Sequence, residues 1–259
     1  MGIQILNDST TRFSTRVENY KKYRPGYPIE VIETLISECG LKADSIIADI
    51  GSGTGILTEV FLKNGNEVYG VEPNREMREA GAVSLKDYPR FRSVAARAEE
   101  TTLPESSVDF ITAGQSFHWF DREKTRTEFI RILKSQGWIS LIWNERVTTT
   151  TPFLVAYEKL LKDYSPDYEQ IDHRRITNAV ISDFFGSNRF KLKQFNNSQV
   201  FDYDGVKGRL LSSSYAPEAG HPDHEPMLAE LERIFRKYQE EGQVAFDYIT
   251  QMYYGRLDG

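Results

Sequence analysis

Short apolar runs alternate with longer amphipathic stretches along the first half of the chain. The runs have the length and composition of buried strands. Strands of this kind are typical of a mainly parallel sheet that helices cover on both faces. The predicted strands are Ile46–Ile50, Glu67–Val71, Phe91–Val94, Val108–Ala113 and Trp138–Trp143.

Helical stretches lie between these strands. One helix precedes the first strand, because Ile29, Ile32 and Leu35 recur at helical spacing and Gly40 is placed to end the turn. The resulting order, βαβαβαβ, predicts a doubly wound α/β sheet. Three further helices are predicted at Gly55–Asn64, Asn74–Leu85 and Asp121–Ser135, the second and third with N-caps at Asn74 and Asp121.

The pattern changes after the fifth strand. Residues 147–186 contain two helical stretches rich in Tyr and Phe, which we interpret as a helical cap insertion. An extended segment at Phe190–Val200, a charged amphipathic helix at Glu225–Glu241 and an alternating strand at Val244–Tyr254 follow. No repeat or linker divides the chain, so residues 1–259 are predicted to form a single domain.

Charge and composition argue against several classes of partner. A net charge of −6 gives no general attraction to phosphate backbones, and the basic cluster at residues 173–175 is too short for a nucleic-acid groove. No stretch approaches the roughly 20 apolar residues that span a bilayer. With Cys39 as the sole cysteine, no internal disulfide can form. We expect a soluble, cytoplasmic monomer or homodimer with no nucleic-acid partner, no membrane partner and no metal.

The strongest local signal is the sequence ADIGSGTG at residues 48–55, between the first strand and the next helix. Glycines at such a turn let backbone amides approach a ligand beyond the carboxyl ends of the strands. The dinucleotide fingerprint would place its third glycine at Ile56, whereas this chain has Gly55. The loop therefore disfavours a nicotinamide or flavin cofactor. Asp49, just before it, suits a ligand with an ammonium group better than a pyrophosphate.

Acidic residues also follow the second and third strands. Glu72 ends the second strand, where its carboxylate can accept hydrogen bonds from both hydroxyls of an adenosine ribose. Glu99 follows the third strand, where it can accept from an adenine amino group. Each residue alone is typical of a helix cap or a solvated charge. Together with Asp49 they predict an adenosine pocket.

These features resemble the class I S-adenosylmethionine-dependent methyltransferases, in particular the small-molecule branch of trans-aconitate methyltransferase-like (methyltransferase type 11) proteins. The resemblance covers nearly the whole chain. It implies a Rossmann-like seven-stranded sheet, mainly parallel, with an antiparallel last strand at Val244–Tyr254. The residues that carry it are Phe13-Ser14, residues 20–28, Asp49–Gly55, Gly70–Asn74, Ala98-Glu99, Leu103-Pro104 and Gln115–Phe120.

The resemblance implies roles for individual residues. Asp49 and the glycine loop would hold the methionine part of S-adenosylmethionine, Glu72 would hold the ribose, and S-adenosylhomocysteine would be the product. Arg24, with Tyr20, would reach the carboxylate of the cofactor. The full set of predicted cofactor-binding residues is Tyr20, Arg24, Asp49, Gly51, Ser52, Gly53, Thr54, Gly55, Glu72, Pro73, Asn74, Met77, Ala98, Glu99, Gln115, Ser116 and Phe117.

The N-terminal segment, residues 1–27, is predicted to act as a lid. Closure of such a segment would exclude water from a sulfonium and order the site. The alternative is an arm that is packed only for stability. The aromatic residues that the segment places around Arg24 are Phe13, Tyr20, Tyr23 and Tyr27.

Methyl transfer is an in-line displacement that depends mainly on alignment, so a base is optional. His118, which follows the fourth strand, is the candidate catalytic base or substrate hydrogen-bond donor; alternatively it packs beside Trp119. The Asn/Asp-Pro-Pro-aromatic motif of enzymes that methylate nucleic-acid bases is absent here, which favours a small-molecule substrate. The predicted substrate-binding residues are Trp119, Trp143, Asn144 and Tyr215, with Tyr157, Tyr164 and Tyr168 as either wall or core.

Two other functions stay open from the sequence. An NAD(P)-dependent oxidoreductase would share the strand, glycine loop and helix, and also Glu72. A non-catalytic sensor would bind the cofactor without turnover.

Overall fold

The computed structural model describes residues 16–165, 168, 176–186 and 189–257. Part of the predicted lid, residues 1–15, and the basic cluster at residues 173–175 lie outside these ranges. The helices are α1 Val17–Tyr23, α2 Glu30–Cys39, α3 Ile56–Lys63, α4 Arg75–Ser84, α5 Arg122–Ile132, α6 Pro152–Tyr164, α7 Asn178–Phe185, α8 Tyr203–Leu211 and α9 His224–Tyr238, with a 3₁₀ helix at Phe117–Trp119. The strands are β1 Ile46–Ile50, β2 Glu67–Val71, β3 Phe91–Val94, β4 Val108–Gly114, β5 Leu133–Arg146, β6 Phe190–Phe201 and β7 Val244–Gly255.

The strands form one seven-stranded sheet in the order β3-β2-β1-β4-β5-β7-β6. The pairs β1–β2, β1–β4, β2–β3 and β4–β5 are parallel. Strand β7 runs antiparallel to both of its neighbours, β5 and β6. The predicted Rossmann-like sheet, mainly parallel with an antiparallel last strand, is confirmed.

The strand order reverses at β1, which lies between β2 and β4. In open parallel sheets, ligands bind in the crevice beyond the carboxyl ends of the strands at this point. Asp49 lies near the carboxyl end of β1, and Gly114 ends β4. The topology therefore places the glycine loop at the crevice.

Successive side chains of β1 point to opposite faces of the sheet, and apolar residues cover both faces. Ala48 and Ile50 belong to a core cluster that includes side chains of α5 and α7. Ile47 belongs to a second cluster, with side chains of α2 and α3. Burial on both faces explains why a short apolar run was enough to locate this strand.

A third apolar cluster lies among α6, α8, α9 and the start of β7. The rings of Tyr157 and Phe246 meet edge to face within it, with centroids 4.9 Å apart. The two helices of the predicted cap insertion, residues 147–186, pack in different places. Helix α6 belongs to this third cluster, whereas Ile181 and Phe185 of α7 pack on the sheet. Within the described ranges, no helix is long and apolar enough to cross a membrane.

Some element boundaries differ from the sequence-based prediction. Helix α5 ends at Ile132 because β5 already begins at Leu133, before the predicted helix end at Ser135. Residues 95–107 join β3 to β4 without a helix, so the βαβαβαβ alternation has one break. Helices α1 and α8 were not predicted.

Helix α8 generates a first prediction. An alanine in a helix is usually more stable than a glycine, by up to about 1 kcal/mol. At Gly208, however, an added Cβ would lie 2.0 Å from the ring of Tyr23 in α1. We expect Gly208→Ala to displace α1 and to accelerate amide hydrogen exchange over residues 17–24. Gly26→Ala, where a Cβ would meet no atom within 4 Å, is the control. Equal exchange in both variants would contradict this packing.

Candidate active site

The glycine loop is held against the end of the neighbouring strand. Gly51 has a φ of 69°, and an added Cβ would lie 2.5 Å from the Cβ of Ser116. Both its conformation and the space around it therefore require glycine. The backbone N–H groups of Gly51 and Ser52 both donate to the carbonyl of Val71, at 2.8 and 3.2 Å. These bonds fix the loop over the carboxyl end of β2.

Asp49 is a buried carboxylate at the base of the loop, with 1% of its surface exposed. Its Oδ2 accepts a hydrogen bond from the Thr58 hydroxyl at 2.5 Å, whereas Oδ1 has no hydrogen-bond partner in the described part of the chain. Burial raises the pKa of Asp49 to about 7; the hydrogen bond from Thr58 opposes this shift and the charge of Glu72 adds to it. A buried carboxylate oxygen with no partner suits a cationic ligand.

Glu72 links the loop to the next helix. Its Oε2 accepts from the backbone N–H of Gly53 at 2.9 Å, and its Oε1 accepts from the N–H of Asn74 at 2.8 Å. Burial raises the pKa of Glu72, while these two N–H donors lower it. Each carboxylate oxygen can accept a second hydrogen bond. Glu72 can therefore hold the loop and still accept from two hydroxyls of a ligand.

Residues after β3 and β4 complete the edge of the site. The carboxylate of Glu99 accepts from the backbone N–H of Asp121 at 2.8 Å. The hydroxyl of Ser116 donates to the carbonyl of Ile50 at 2.7 Å. Gln115, with a φ of 57°, donates its side-chain N–H to the carbonyl of Asn144 at 3.0 Å. These bonds join the carboxyl ends of β1, β4 and β5.

Two adjacent cavities open at this edge of the sheet and share Tyr20, Gly51, Gly53, Gly114 and Gln115. The first cavity lies at the ends of β1, β4 and β5, and the second at the ends of β2 and β3. Of the predicted residues, those that line the first are Tyr20, Arg24, Asp49, Gly51, Ser52, Gly53, Thr54, Gln115, Asn144, Tyr168 and Tyr215. Those that line the second are Tyr20, Gly51, Gly53, Glu72, Pro73, Asn74, Met77, Ala98, Glu99, Gln115, Ser116 and Trp119.

Four predicted site residues line neither cavity, and three of them are packed in the core. Phe117 is fully buried, with its ring centroid 4.7 Å from that of Phe184. Trp143 is also buried, and it packs edge to face against Phe117. Gly55 faces α4, since an added Cβ would lie 2.6 Å from the Cδ1 of Leu85. The structure thus places these three residues in the core, which does not support their predicted contacts with cofactor or substrate.

His118 lies on the 3₁₀ helix, with its ring beside that of Trp119 at a centroid distance of 4.9 Å. It lines neither cavity. This placement matches the packing alternative and does not support a role as catalytic base. Trp119, predicted to contact substrate, lines the second cavity with Glu72 and Glu99 instead.

Several residues that line the first cavity were missed. Arg146 ends β5 and Arg209 lies on α8; with the predicted Arg24 they bring three guanidinium groups to this cavity. Arg146 occupies a strand end, so the rule that located Glu72 could have found it. Arg209 gave no such signal because α8 was not predicted. Across the described ranges, no group of three or more His, Cys, Asp or Glu side chains is arranged to hold a metal ion.

The raised pKa of Asp49 predicts a specific pH dependence of stability. Aspartate in an unfolded chain ionises near pH 4, whereas Asp49 in the folded protein ionises near pH 7. Between these values the folded state holds a proton that the unfolded state has lost, so stability falls as pH rises. We expect Asp49→Asn to remove this loss and to gain roughly 2–4 kcal/mol over the parent between pH 5 and pH 8.

Urea unfolding at both pH values measures this difference. Asp44→Asn, at an exposed position, is the matched control and should follow the parent. A pH dependence in Asp49→Asn equal to that of the parent would contradict the assignment.

Proteins named as methyltransferases are similar in sequence to this chain. A family model described as a methyltransferase domain matches residues 48–141. A protein of Dictyostelium discoideum named as a methyltransferase is 33% identical over 228 residues, which cover 85% of this chain and 84% of that protein. A methyltransferase-like protein of Schizosaccharomyces pombe is 28% identical over 245 residues, 93% of each chain.

Solved structures show the same fold. A methyltransferase from Anaeromyxobacter dehalogenans superimposes with a TM-score of 0.69 at 18% identity, over 92% of this chain and all of that one. A methyltransferase of an antibiotic biosynthesis pathway from Anabaena variabilis superimposes with a TM-score of 0.60 at 22% identity, over 92% of this chain. The likeness to the trans-aconitate branch stays a prediction. The chain belongs to the methyltransferases, and its fold is that of the class I enzymes.

Proposed function

We propose that this protein transfers a methyl group from S-adenosylmethionine to a small organic molecule, with S-adenosylhomocysteine as the second product. The observation that carries this proposal is the pair of buried carboxylates, Asp49 and Glu72, on either side of the glycine loop. Asp49 lines the first cavity and Glu72 lines the second. Family membership makes the methyl transfer itself the expected reaction.

The side chains present fit this cofactor. The unpartnered Oδ1 of Asp49 suits its ammonium group, and Arg24 suits its carboxylate. Glu72 can accept from the ribose hydroxyls, and Ala98 and Glu99 line the same cavity for adenine. When bound, the cofactor supplies an electrophilic methyl group on a sulfonium.

The residues shared by the two cavities mark where donor and acceptor would meet. The lining residues would align a lone pair of the acceptor atom with the methyl group that the bound cofactor would supply. Alignment of the reacting groups can supply about 7–11 kcal/mol of the barrier. Tyr20 lines both cavities, so it can help to exclude water at this junction.

Besides Asp49, which the proposal assigns to the ammonium group of the cofactor, the first cavity contains a hydrogen-bond donor. Tyr27 lines it, and burial keeps the pKa of Tyr27 well above its usual value. Its hydroxyl therefore stays protonated at neutral pH and can donate to a substrate, but it cannot take a proton. This suits an acceptor that needs no base, such as a carboxylate.

The two other functions are weaker. An NAD(P)-dependent oxidoreductase would need the third glycine at Ile56, and Gly55 is occupied in packing against Leu85. A non-catalytic sensor would need space for the cofactor alone, whereas the first cavity extends as far as Arg209 of α8. We also propose a cytoplasmic monomer or homodimer without nucleic-acid or membrane partners; the net charge of −6 bears only on nucleic acid, to which it gives no general attraction.

Calorimetric titration with S-adenosylhomocysteine, NADH and NADPH tests this proposal. We expect S-adenosylhomocysteine alone to bind. Glu72→Gln should weaken that binding by about 1.5–3 kcal/mol, because one acceptor oxygen is lost and the loop is held less well. Glu79→Gln, on the exposed face of α4, should bind like the parent.

Binding of a nicotinamide cofactor instead would overturn the proposal. Binding of S-adenosylhomocysteine without methyl transfer to any compound of a broad small-molecule library would favour the sensor.

A further inference from the structure

Three arginines and two acidic residues, Asp49 and Glu145, line the first cavity. Arg24 reaches it from the segment after α1, Arg146 from the end of β5 and Arg209 from α8. Arg209 is only 6% exposed, and the side chain of Arg146 is 9% exposed. Buried guanidinium groups are costly unless an anion or a full set of hydrogen bonds compensates for their lost hydration.

Arg146 is compensated only in part. Its Nη2 donates to the carboxylate of Glu158 at 2.6 Å and to the hydroxyl of Tyr168 at 3.1 Å. Its Nη1 is buried and has no hydrogen-bond partner among the described residues. One edge of the guanidinium is therefore held in place by the protein, and the other has donors to spare.

Arg209 has hydrogen bonds but no counter-charge. Its Nε donates to the Tyr248 hydroxyl at 3.1 Å, and its Nη1 donates to the Ser213 hydroxyl at 3.2 Å. No carboxylate of the described residues lies within ion-pair distance of it. The structure thus buries the charge of Arg209 among hydroxyl groups that do not neutralise it.

Nearby tyrosines do not supply the missing negative charge. Tyr157 lies close enough to both Arg146 and Arg209 for their charges to act on its hydroxyl. Burial nevertheless raises the pKa of Tyr157 and that of Tyr168, so both hydroxyls stay protonated at neutral pH. These tyrosines add hydrogen-bond donors around the guanidinium groups rather than anions.

The proposed cofactor accounts for one of the three arginines. It carries a single carboxylate, which Arg24 would hold. Arg24 lies near enough to Arg209 that the charge of Arg209, together with burial, lowers the pKa of Arg24. With the cofactor in place, Arg209 and the Nη1 of Arg146 would still lack an anion.

We propose that the substrate is a small organic oxyanion whose charged group binds Arg209 and the Nη1 of Arg146. This inference rests on the proposed function, because it assigns Arg24 to the cofactor. Guanidinium groups bind carboxylates and phosphates through paired N–H donors, so either kind of group meets the same chemistry. Anchored in this way, the substrate presents its methyl acceptor to the junction of the two cavities.

The test begins with S-adenosylhomocysteine titrated alone, which checks the proposed function separately. Protein saturated with it is then titrated with succinate, glutarate, tricarballylate and glycerol 3-phosphate, and with succinamide and glycerol as neutral counterparts. We expect at least one anion to bind and its neutral counterpart not to bind. Binding by carboxylates alone or by the phosphate alone would support the proposal and identify the group.

Substitutions of the arginines test where the anion binds. Arg209→Gln should weaken anion binding about tenfold or more and leave the affinity for S-adenosylhomocysteine within about twofold of the parent. Arg209→Lys should restore part of the anion affinity. Arg233→Gln, whose side chain is 64% exposed, is the matched control. The double variant Arg146→Met with Glu158→Met removes the buried pair without leaving a lone carboxylate, and it should also weaken anion binding.

Thermal unfolding of each variant checks that it is folded; if Arg209→Gln is not, Arg209→Lys and the double variant decide. Two results would overturn the proposal. One is S-adenosylhomocysteine-bound protein that binds none of the anions. The other is anion binding that is equal in the parent and in the folded Arg209 and Arg146 variants.

Discussion

The site depends on one carboxylate that ties two loops together. Glu72 accepts hydrogen bonds from Gly53 in the β1–α3 loop and from Asn74 at the start of α4. Charge-assisted bonds from backbone N–H groups are stronger than neutral ones, and burial keeps water from competing for them. They hold the glycine loop beside the end of β2, and the loop in turn borders both cavities. A ligand with two hydroxyl groups could donate to the remaining acceptor positions of Glu72 while these two backbone hydrogen bonds stay in place.

Much of the fold could be predicted from the sequence because most of its strands are buried. The predicted bounds of β1, β2 and β3 match the structure. In β1 and β2 the apolar residues are largely buried, whereas β3 is the edge strand and has Arg92 and Ser93 exposed. Strand β5 is longer than predicted: it begins at Leu133, and its first part contains Lys134, Ser135 and Gln136, which carry no apolar signal. Helix α8 was missed for a similar reason. Gly205 and Gly208 lower its helix propensity, and tertiary packing overrides that preference.

The site was predictable where its signals are local. A glycine loop and acidic strand ends lie at fixed places in this fold, so Asp49, Glu72 and Glu99 could be identified from position alone. Aromatic residues near the strand ends were ambiguous. Asn144 lines the first cavity, and side chains alternate along a strand, so its neighbour Trp143 must face the other side of the sheet. Applied to the sequence, that alternation would have shown that Trp143 and Asn144 face opposite sides of the sheet, but not which of the two faces the cavity.

The arginines were not predictable because no local pattern connects them. Arg146 lies on β5 and Arg209 on α8, and both contact Tyr248 of β7: Tyr248 pairs with Arg146 in the sheet and accepts a hydrogen bond from Arg209. The third apolar cluster, among α6, α8 and α9, holds this packing together. That packing has to offset the cost of a buried guanidinium without a counter-charge and of a carboxylate whose pKa is raised by burial. Such local costs are typical of functional sites, where a stable surrounding structure maintains groups in unfavourable surroundings. The same charges would be relieved by a ligand that brings a cation to Asp49 and an anion to Arg209. These unfavourable charges would therefore favour a ligand of complementary charge over a neutral one.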